Sequence, residues 1–357
     1  MRTTLYSGTT ALSGRVVRLA LVGLLIATSA PSVLAQDKVG STAAAFLGIG
    51  IGARATAMGG AQVADVQGPS ALYWNPSAIA MQRGSAAQFT NANWFLDTQF
   101  QHVGLVFDGG SLGSFGVSLF ALNYGDEAVT AIEQCGPDNP VCETGELWNA
   151  LDLALGLTYA RRLTDRFAFG ATAKIVSQSI WNESATGAAL DLGVVYDTGF
   201  RGLTIGMSMA NFGTDMQLSG PDLRRAFDPE PDQNGNNDRL AVNYEVGNWP
   251  MPLLFRVGVA MDAFNQSGQR IRLSIDGNAP ADDAQNASFG AEYGFRDFFF
   301  ARGGWRQAFG SEGADGWTLG FGLRYALNSR FAGYFDYAFQ DHDVFGTPQM
   351  FSAGVTF

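Results

Sequence analysis

A chain of 357 residues with 33 acidic and 22 basic side chains carries a formal net charge of -11. This balance argues against nucleic acid as a partner, because phosphate recognition needs concentrated cationic charge. Only 15% of the residues are charged while 46% are hydrophobic, and the chain contains 45 glycines and 27 phenylalanines. The composition indicates tight turns and strands with aromatic faces, and the length fits one all-β barrel.

The N-terminus carries the features of a secretory signal peptide. Arg15 and Arg18 precede an apolar run, and Val33-Leu34-Ala35 places small residues at the spacing of a cleavage site. A transmembrane helix would need about 20 apolar residues, and this run is shorter and is interrupted by Pro31. We therefore expect residues 1–35 to be a signal peptide and the remaining chain to be exported.

The segment 36–84 differs in pattern from everything after it. Glycine and alanine are concentrated there around a single cation, Arg54, and the alternation typical of a strand is absent. We expect this plug segment to be packed inside a barrel, with Gly59 and Gly60 at bends in a crowded interior. An arginine in such surroundings needs a carboxylate, and we expect Asp152 or Asp191 to supply it.

Residues 85–357 alternate between apolar and polar or small side chains, as in a membrane barrel with one face toward lipid. Leu151 to Tyr159 is the clearest example, with leucines on one face and Asp152, Ala154 and Gly156 on the other. Fourteen such segments follow one another, and an even number is expected of a closed antiparallel barrel. The charged residues expected to point inward are Asp152, Lys174, Asp191, Arg256, Asp262, Arg272, Glu292 and Arg324.

The connections between these segments alternate between short and mostly longer ones, which predicts short turns in the periplasm and long loops outside the cell. The longest loops are predicted at 125–147 and 212–251. Leu240 to Glu245 could form a further strand, but we assign it to the second loop because a fifteenth strand would break the parity. The last strand ends on Phe357. A terminal aromatic residue of this kind resembles the assembly signal of outer-membrane barrels.

Three motifs stand in the plug segment: Gly52-Ala53-Arg54, Met58-Gly59-Gly60 and Ala71-Leu72-Tyr73-Trp74-Asn75-Pro76. As a set they resemble the N-terminal region of the PorV/PorQ family, relatives of the FadL-type outer-membrane transporters. The resemblance implies an all-β, FadL-like, 14-stranded antiparallel transmembrane barrel with an N-terminal plug. The plug-motif residues are Gly50, Gly52, Arg54, Met58, Gly59, Gly60, Asn75 and Pro76. Gln67 and Gly68 depart from the paired acidic residues that the family often has there.

The resemblance implies two different roles in the outer membrane of a Gram-negative cell. PorV-type proteins carry type IX secretion cargo from the translocon to the cell-surface attachment complex, with the C-terminal domains of secreted cargo as partners. FadL-type relatives instead pass hydrophobic small molecules through a lateral opening. The cargo shuttle is our first interpretation and the hydrophobic channel is the alternative, for which inward side chains would line a pocket. Those side chains are predicted to be Phe100, Phe120, Phe298 and Phe300.

Two loop features suggest further sites. Cys135 and Cys142 bracket a short stretch with two prolines, and an exported chain favours a disulfide between them over a metal or redox pair. Glu230, Asp232, Asn234 and Asp238 lie in a stretch similar to the first half of a calcium loop. Ala241 stands where the closing glutamate is needed, so a flexible polar loop is the main interpretation and calcium binding a weaker one.

Catalysis and cofactor binding have no support in the sequence. The glycine-rich stretch at residues 50–55 superficially matches a dinucleotide fingerprint, but no strand precedes it and no acidic residue follows at the required spacing. The two histidines are His102, at an inward position, and His342, in the last external loop. Neither stands in a motif with a nucleophile, so we expect no catalytic residues, no enzyme activity and no cofactor.

Overall fold

The computed structural model describes residues 40–131, 142–229, 231–232, 237, 239–311, 315–328, 330–342 and 346–357. The predicted signal peptide and residues 36–39 of the predicted plug segment lie outside these ranges. No helix within the described ranges has the length and apolarity to cross a bilayer.

Fourteen antiparallel strands form a closed barrel, because β1 pairs with β2 on one side and with β16 on the other. The prediction of a 14-stranded antiparallel barrel is therefore confirmed. The strands of the whole chain are β1 (Ala86–Asn93), β2 (Gln99–Asp108), β3 (Ser114–Ala131), β4 (Cys142–Arg162), β5 (Phe167–Ile180), β6 (Glu183–Asp197), β7 (Thr204–Gly213), β8 (Arg224–Phe227), β9 (Leu240–Asn243), β10 (Leu254–Gln266), β11 (Gln269–Pro280), β12 (Asn286–Phe295), β13 (Phe299–Ala308), β14 (Gly316–Ala326), β15 (Ala332–Gln340) and β16 (Gln349–Thr356).

The alternation of apolar with polar or small side chains along each strand decides which side chains face the interior of the barrel. On β4, Asp152, Ala154 and Gly156 are buried, while Leu155 and Leu157 are 46% and 60% exposed on the outside. The same pattern runs along β14, where Trp317, Leu319, Phe321 and Leu323 face out and Thr318 and Gly322 are buried. An apolar outer wall around a polar inner face is the arrangement that lipid requires.

The two ends of the barrel differ in their connections. The short-turn end has the turns at 109–113, 163–166, 198–203, 267–268, 296–298 and 327–331, and Phe357 lies there beside Ser85. The long-loop end has most of the longer connections, including residues 214–253. Leu240–Asn243, which the parity argument excluded from the wall, forms β9 and pairs with β8 in a separate two-stranded sheet.

The predicted loop 125–147 is wrong in one respect, because β3 runs on to Ala131 and β4 begins at Cys142. Both faces of this hairpin meet solvent above the wall, so its residues lose the alternation that marks the lower part of each strand. Residues 132–141, which include Cys135, lie outside the described ranges.

The plug segment passes through the interior from the long-loop end to the short-turn end. It starts where Ala43 N donates to Pro250 O (2.9 Å) and Thr42 Oγ1 to Asp282 (2.6 Å). It ends at residue 84, just before Ser85 pairs with Phe357. Its short elements are α1 (Ala53–Ala57), α2 (Ala71–Trp74) and the 3-10 helices Ala45–Gly48, Gly68–Ser70 and Pro76–Ala80. Three further 3-10 turns, Phe95–Asp97, Gly110–Leu112 and Pro221–Leu223, lie in connections between strands.

Candidate functional site

Two cavities lie inside the barrel, one on each side of the plug segment. The loop-end cavity has a volume of about 440 Å³ and is bordered by plug residues such as Ile49, Gly59 and Gly60. The turn-end cavity has a volume of about 550 Å³ and is bordered by Ala53 and Arg54. The two linings share no residue. Residues 50–60 therefore form a partition between the cavities.

The loop-end cavity is largely apolar. Its walls include Ile49, Trp74, Trp94, Pro252 and Leu254. Its volume is well above the roughly 150 Å³ of an engineered cavity that holds benzene in a protein core. The cavity can therefore hold a small apolar molecule without rearrangement of the wall.

Charged side chains interrupt this apolar lining, namely Arg256, Arg306, Asp282 and Asp283. The guanidinium carbon of Arg256 lies 5.0 Å from the ring centroid of Tyr73 and 4.9 Å from that of Trp74, both within the range of cation–π contact. Its Nη2 donates to Tyr73 Oη at 3.1 Å. Arg256 is only 4% exposed, and among the described residues its Nη1 has no hydrogen-bond partner. Arg306, which lines the same cavity, likewise has a buried Nε with no partner among the described residues. The cavity therefore offers a ring-lined surface and two unused donors, Arg256 Nη1 and Arg306 Nε.

The turn-end cavity is charged. Glu292 accepts from Arg54 Nε (2.9 Å), Arg302 Nε (2.8 Å) and Arg270 Nη2 (2.8 Å). Arg302 also pairs with Asp336. One carboxylate, itself 1% exposed, thus holds three guanidinium groups from the plug segment, β11 and β13.

The expected partner of Arg54 is wrong. Arg54 pairs with Asp65 of the plug segment and with Glu292 of β12, while Asp152 binds Tyr124 and Gln178. The other expected partner, Asp191, pairs with Lys174 at 2.8 Å. Alternation identifies the inward side chains, but it does not give their height or their position around the barrel, and those decide which carboxylate meets Arg54.

Two side chains of β11, Asp276 and Arg272, hold the plug segment against the wall just after the partition, at residues 62–65. Asp276 Oδ2 accepts from Gln62 N (2.6 Å) and Val63 N (2.8 Å). Asp65 pairs with Arg272 of β11, which also holds Asp262. Asp276 accepts from two buried backbone N–H groups, and Arg272 donates to the buried carboxylate of Asp65. Without these partners the buried groups would need water molecules to satisfy them.

The eight plug-motif residues all lie inside the barrel. Gly52 (φ +88°), Gly59 (φ +66°) and Gly60 (φ +78°) have backbone angles that favour glycine. A Cβ on Gly59 would lie 2.6 Å from Trp305 O and 2.7 Å from Phe289 O. Met58 is fully buried, and Gly50 faces the Trp74 ring. The tight spacing shows that Gly59 accepts no larger side chain without a shift of the wall backbone.

Asn75-Pro76 begins a further helical turn within the plug segment. The Asn75 side chain accepts from Ser77 N (3.2 Å) and caps the helix Pro76–Ala80, so the segment continues to residue 84. Its Nδ2 donates to Val63 O (2.8 Å) and Val194 O (3.0 Å). Asn75 thus ties the two halves of the plug segment to β6.

Of the four phenylalanines expected to face inward, Phe100, Phe120 and Phe300 are buried. Phe298 is 50% exposed, so that prediction is wrong. It lies in the turn before β13, where Arg296 and Asp297 both have positive φ and interrupt the alternation. Arg324 lies at an inward position but is exposed, because it lines the turn-end cavity near the mouth.

The two histidines lie apart. His102 is buried against Phe120, with ring centroids 4.8 Å apart. His342 packs edge-on against Phe95 and bonds Arg306 through Nδ1 at 3.0 Å. Burial and the charge of Arg306 lower the pKa of His342 to about 4, so its ring is neutral at pH 7.

The loop sites are only partly described. Cys142 begins β4, while Cys135 lies outside the described residues. Of the calcium candidates, Asp232 is described and Glu230, Asn234 and Asp238 are not. In the part of the chain that the structure describes, no group of three or more acidic, histidine or cysteine side chains is placed to hold a metal ion.

Several glycines of the wall that touch the plug segment are not among the residues predicted from the sequence. A Cβ on Gly290 would lie 2.6 Å from Met58 O, and one on Gly170 would lie 2.5 Å from Ser77 N. A Cβ on Gly206 would approach the backbone of Val63 just as closely, and one on Gly304 would approach the backbone of Gly59. These four glycines occupy inward positions of the alternation, where the plug segment touches the wall. Other inward glycines, such as Gly156 and Gly322, meet only wall side chains, so an inward glycine alone does not identify a plug contact.

Comparison with known proteins shows the same fold. The toluene transporter TodX of Pseudomonas putida superposes with a TM-score of 0.54 at 14% identity, over 86% of this chain and 97% of that one. The toluene transporter TbuX of Ralstonia pickettii gives 0.51 at 15% identity over 86% and 97%. A FadL homologue of Pseudomonas aeruginosa gives 0.53 at 12% identity over 85% and 97%.

No family model and no curated protein matches the chain. At such low identity to the solved structures, the likeness establishes the architecture. The chain therefore has a FadL-like fold, a closed 14-stranded barrel.

Proposed function

We propose that the protein is an outer-membrane conduit for small hydrophobic molecules and that the loop-end cavity is its first binding site. The observation that carries this proposal is the cavity itself, a space of about 440 Å³ inside a closed barrel in which Ile49, Trp74, Trp94, Pro252 and Leu254 form an apolar surface. Barrels of the same architecture include the two toluene transporters, which supports a similar class of ligand here.

The outer wall supports a place in a membrane. Large apolar side chains face out on most strands, and Leu157, Ile175, Phe255 and Leu319 are each between 46% and 60% exposed. Water-soluble monomers rarely expose continuous apolar surface of this extent. The polar interior and the apolar exterior together fit a barrel embedded in lipid, with the long loops outside the cell.

The partition gives the conduit a closed resting state. Residues 50–60 separate the loop-end cavity from the turn-end cavity. They are held to the wall by the Arg54–Glu292 ion pair and by hydrogen bonds from Ala53 N to Ser352 Oγ and from Gly59 N to Thr318 Oγ1. A ligand that passes from one end to the other has to displace this partition or leave through the wall. In either case, binding in the loop-end cavity precedes passage.

Filling the loop-end cavity should remove binding. We expect Leu254→Trp to weaken binding of toluene to the purified protein at least about ten-fold, because the indole occupies volume that the ligand needs. Leu155→Trp, which places the same side chain on the outer wall, should leave the affinity unchanged. Calorimetric titration in detergent measures both. Equal affinity of Leu254→Trp and the unsubstituted protein would contradict the site assignment.

The unused donor of Arg256 predicts a preference among ring compounds. A ligand with a hydrogen-bond acceptor, such as benzyl alcohol, should gain roughly 1 kcal/mol over toluene from the bond to Nη1. This corresponds to about five-fold in affinity. Arg256→Met keeps a side chain of similar length without the donor and should abolish the difference. A preference that survives Arg256→Met would show that another group donates the hydrogen bond to the ligand's acceptor.

The likeness of residues 46–84 to the PorV/PorQ family supports a second candidate, a carrier of type IX secretion cargo. The observation that favours it is the β3–β4 hairpin, which extends well past the wall and presents Asp126, Glu127, Glu143 and Glu146. Such a surface suits a basic docking partner. Shortening this hairpin should abolish surface attachment of cargo if the carrier role holds, and should leave toluene binding intact if the conduit role holds.

A further inference from the structure

The turn-end cavity carries more positive than negative charge. Five arginines and three carboxylates are among the described residues that line it, although the whole chain has a net charge of -11. The arginines are Arg54, Arg83, Arg270, Arg302 and Arg324, and the carboxylates are Glu292, Asp297 and Asp336. Since salt limits the reach of a charge to about 10 Å, this local excess of cations, rather than the acidic total, decides which ions the cavity attracts.

The carboxylates of the lining do not use all of the donors that the arginines present. Glu292 already accepts from three guanidinium groups, and Asp336 accepts from one of the same three. Arg270 reaches Glu292 through Nη2, and its Nε is buried with no hydrogen-bond partner among the described residues. Gln82, which lines the same cavity, has a buried Nε2 that is likewise unpartnered there. Because a buried donor without an acceptor is unfavourable, both atoms favour a ligand that accepts hydrogen bonds.

Two further arginines of the lining are exposed at the short-turn end. Arg83 is at the end of the plug segment and Arg324 is on β14, and neither forms an ion pair within the described residues. The one lining carboxylate that is exposed is Asp297, in the turn before β13. An anion that enters from this end therefore meets two unpaired cations before it reaches the buried groups around Glu292.

The chemistry of the lining disfavours a cation and favours an oxyanion. Glu292 is 1% exposed and its two oxygens already bind guanidinium groups, so it has little to offer a cation. The neutral polar groups satisfy one another, because Gln88 accepts from Tyr334 Oη (2.9 Å) and donates to Ser70 Oγ (2.9 Å). Guanidinium groups match the paired oxygens of carboxylates and phosphates. A volume of about 550 Å³ has room for such a group with water around it.

We propose that the turn-end cavity binds a small oxyanion, a carboxylate or a phosphate, from the aqueous phase at the short-turn end. Arg270 Nε is the buried donor to the anion, and Arg83 and Arg324 attract it. Arg54 Nη2 of the plug segment and Arg270 Nη2 of the wall lie 3.5 Å and 2.8 Å from the same atom, Glu292 Oε1. An anion on Arg270 therefore also attracts the plug segment and stabilises the seated partition. This inference does not depend on what the loop-end cavity binds.

Calorimetric titration of the purified protein in detergent tests the site. The probes are inorganic phosphate and succinate, titrated separately at fixed ionic strength with sodium chloride as the supporting salt. We expect saturable binding of at least one probe, and Arg270→Gln should weaken it at least about ten-fold because a charge-assisted hydrogen bond is lost. Binding of one probe alone assigns the site to phosphates or to carboxylates, and binding of both assigns it to oxyanions in general. Binding of neither would overturn the proposal.

Three more variants locate the binding and do not require Arg270→Gln to fold. Arg324→Gln changes an exposed residue without an ion pair and should weaken binding several-fold. Arg330→Gln removes the same charge at the same end of the barrel, from an exposed residue outside the cavity lining, and should leave the affinity unchanged. Asp297→Asn removes the exposed carboxylate of the lining and should strengthen binding. Equal weakening in Arg324→Gln and Arg330→Gln would show that only net charge attracts the anion, which contradicts a site in this cavity.

Heat-induced unfolding followed by gel mobility tests the effect on the partition. The probe that binds should raise the unfolding midpoint of the unsubstituted protein at saturating concentration, because it binds the folded barrel. It should raise the midpoint of Leu254→Trp equally, since Leu254 lies in the other cavity. Loss of toluene binding with the anion effect intact would leave this inference standing while the conduit fails. A midpoint that neither probe changes would show that the anion does not stabilise the partition.

Discussion

Replacing Glu292 by glutamine is expected to destabilise the seated plug segment by about 3–5 kcal/mol. Glu292 is the single carboxylate that Arg54, Arg270 and Arg302 share, and it is almost fully buried. Glutamine keeps the shape of the side chain but leaves three guanidinium groups around a neutral amide. The midpoint of heat-induced unfolding in detergent, followed by gel mobility, measures the loss.

Replacing Arg54 by methionine should destabilise the seated plug segment less than Glu292→Gln does. In Arg54→Met, Glu292 keeps Arg270 and Arg302, and Asp65 keeps Arg272, so no buried carboxylate is left alone. Asp297→Asn is the matched control, because Asp297 lines the same cavity and has no ion pair within the described residues. A loss in Asp297→Asn equal to that in Glu292→Gln would show that net charge alone matters and would contradict the shared-carboxylate account.

Replacing Gly59 by valine is expected to reduce the folded barrel by a free energy of about 3–5 kcal/mol, from backbone strain and overpacking together. The new Cβ would meet two wall carbonyls, Trp305 O and Phe289 O, neither of which can rotate away. The change also threatens the bond from Gly59 N to Thr318 Oγ1 (3.0 Å). The fraction of heat-modifiable protein in isolated membranes measures the effect.

Two other glycines separate strain from contact. Gly60→Val should cost less than Gly59→Val, because its nearest neighbour is the Trp74 ring at 3.2 Å, a side chain that can shift. Gly125 also has a positive φ (+83°) but no atom within 4 Å of an added Cβ, so Gly125→Val isolates the backbone strain, at about 1 kcal/mol. If Gly125→Val lowers the fraction of folded protein as much as Gly59→Val does, the contact of residue 59 with the wall contributes nothing to the loss of folded protein.

The wall could be predicted from the sequence because lipid imposes a simple rule on every strand. Leu155 and Leu157 have to face out and Asp152 has to face in, whatever the rest of the fold does. Parity then excluded Leu240–Asn243 from the barrel, which the pairing of β9 with β8 confirms. The composition of the plug segment likewise indicated a crowded interior rather than another strand.

The interior could not be predicted to the same depth. The partner of Arg54 depends on the height and the angular position of Glu292, neither of which alternation encodes. The exposure of Phe298 depends on a turn with two residues of positive φ. The loop-end cavity is the space left between Ile49, Leu254 and the ring pair Tyr73–Trp74, and residues far apart in sequence define it only once the barrel has closed.

Uptake of toluene by intact cells tests the central claim most directly. The initial rate is measured at low toluene concentration in an outer-membrane host without a comparable channel, at matched amounts of folded protein. The account predicts that the protein raises the rate several-fold, that Leu254→Trp returns it to the background rate and that Leu155→Trp does not. A rate equal to background for the unsubstituted protein, or one that Leu254→Trp leaves unchanged, would contradict a conduit that begins at the loop-end cavity.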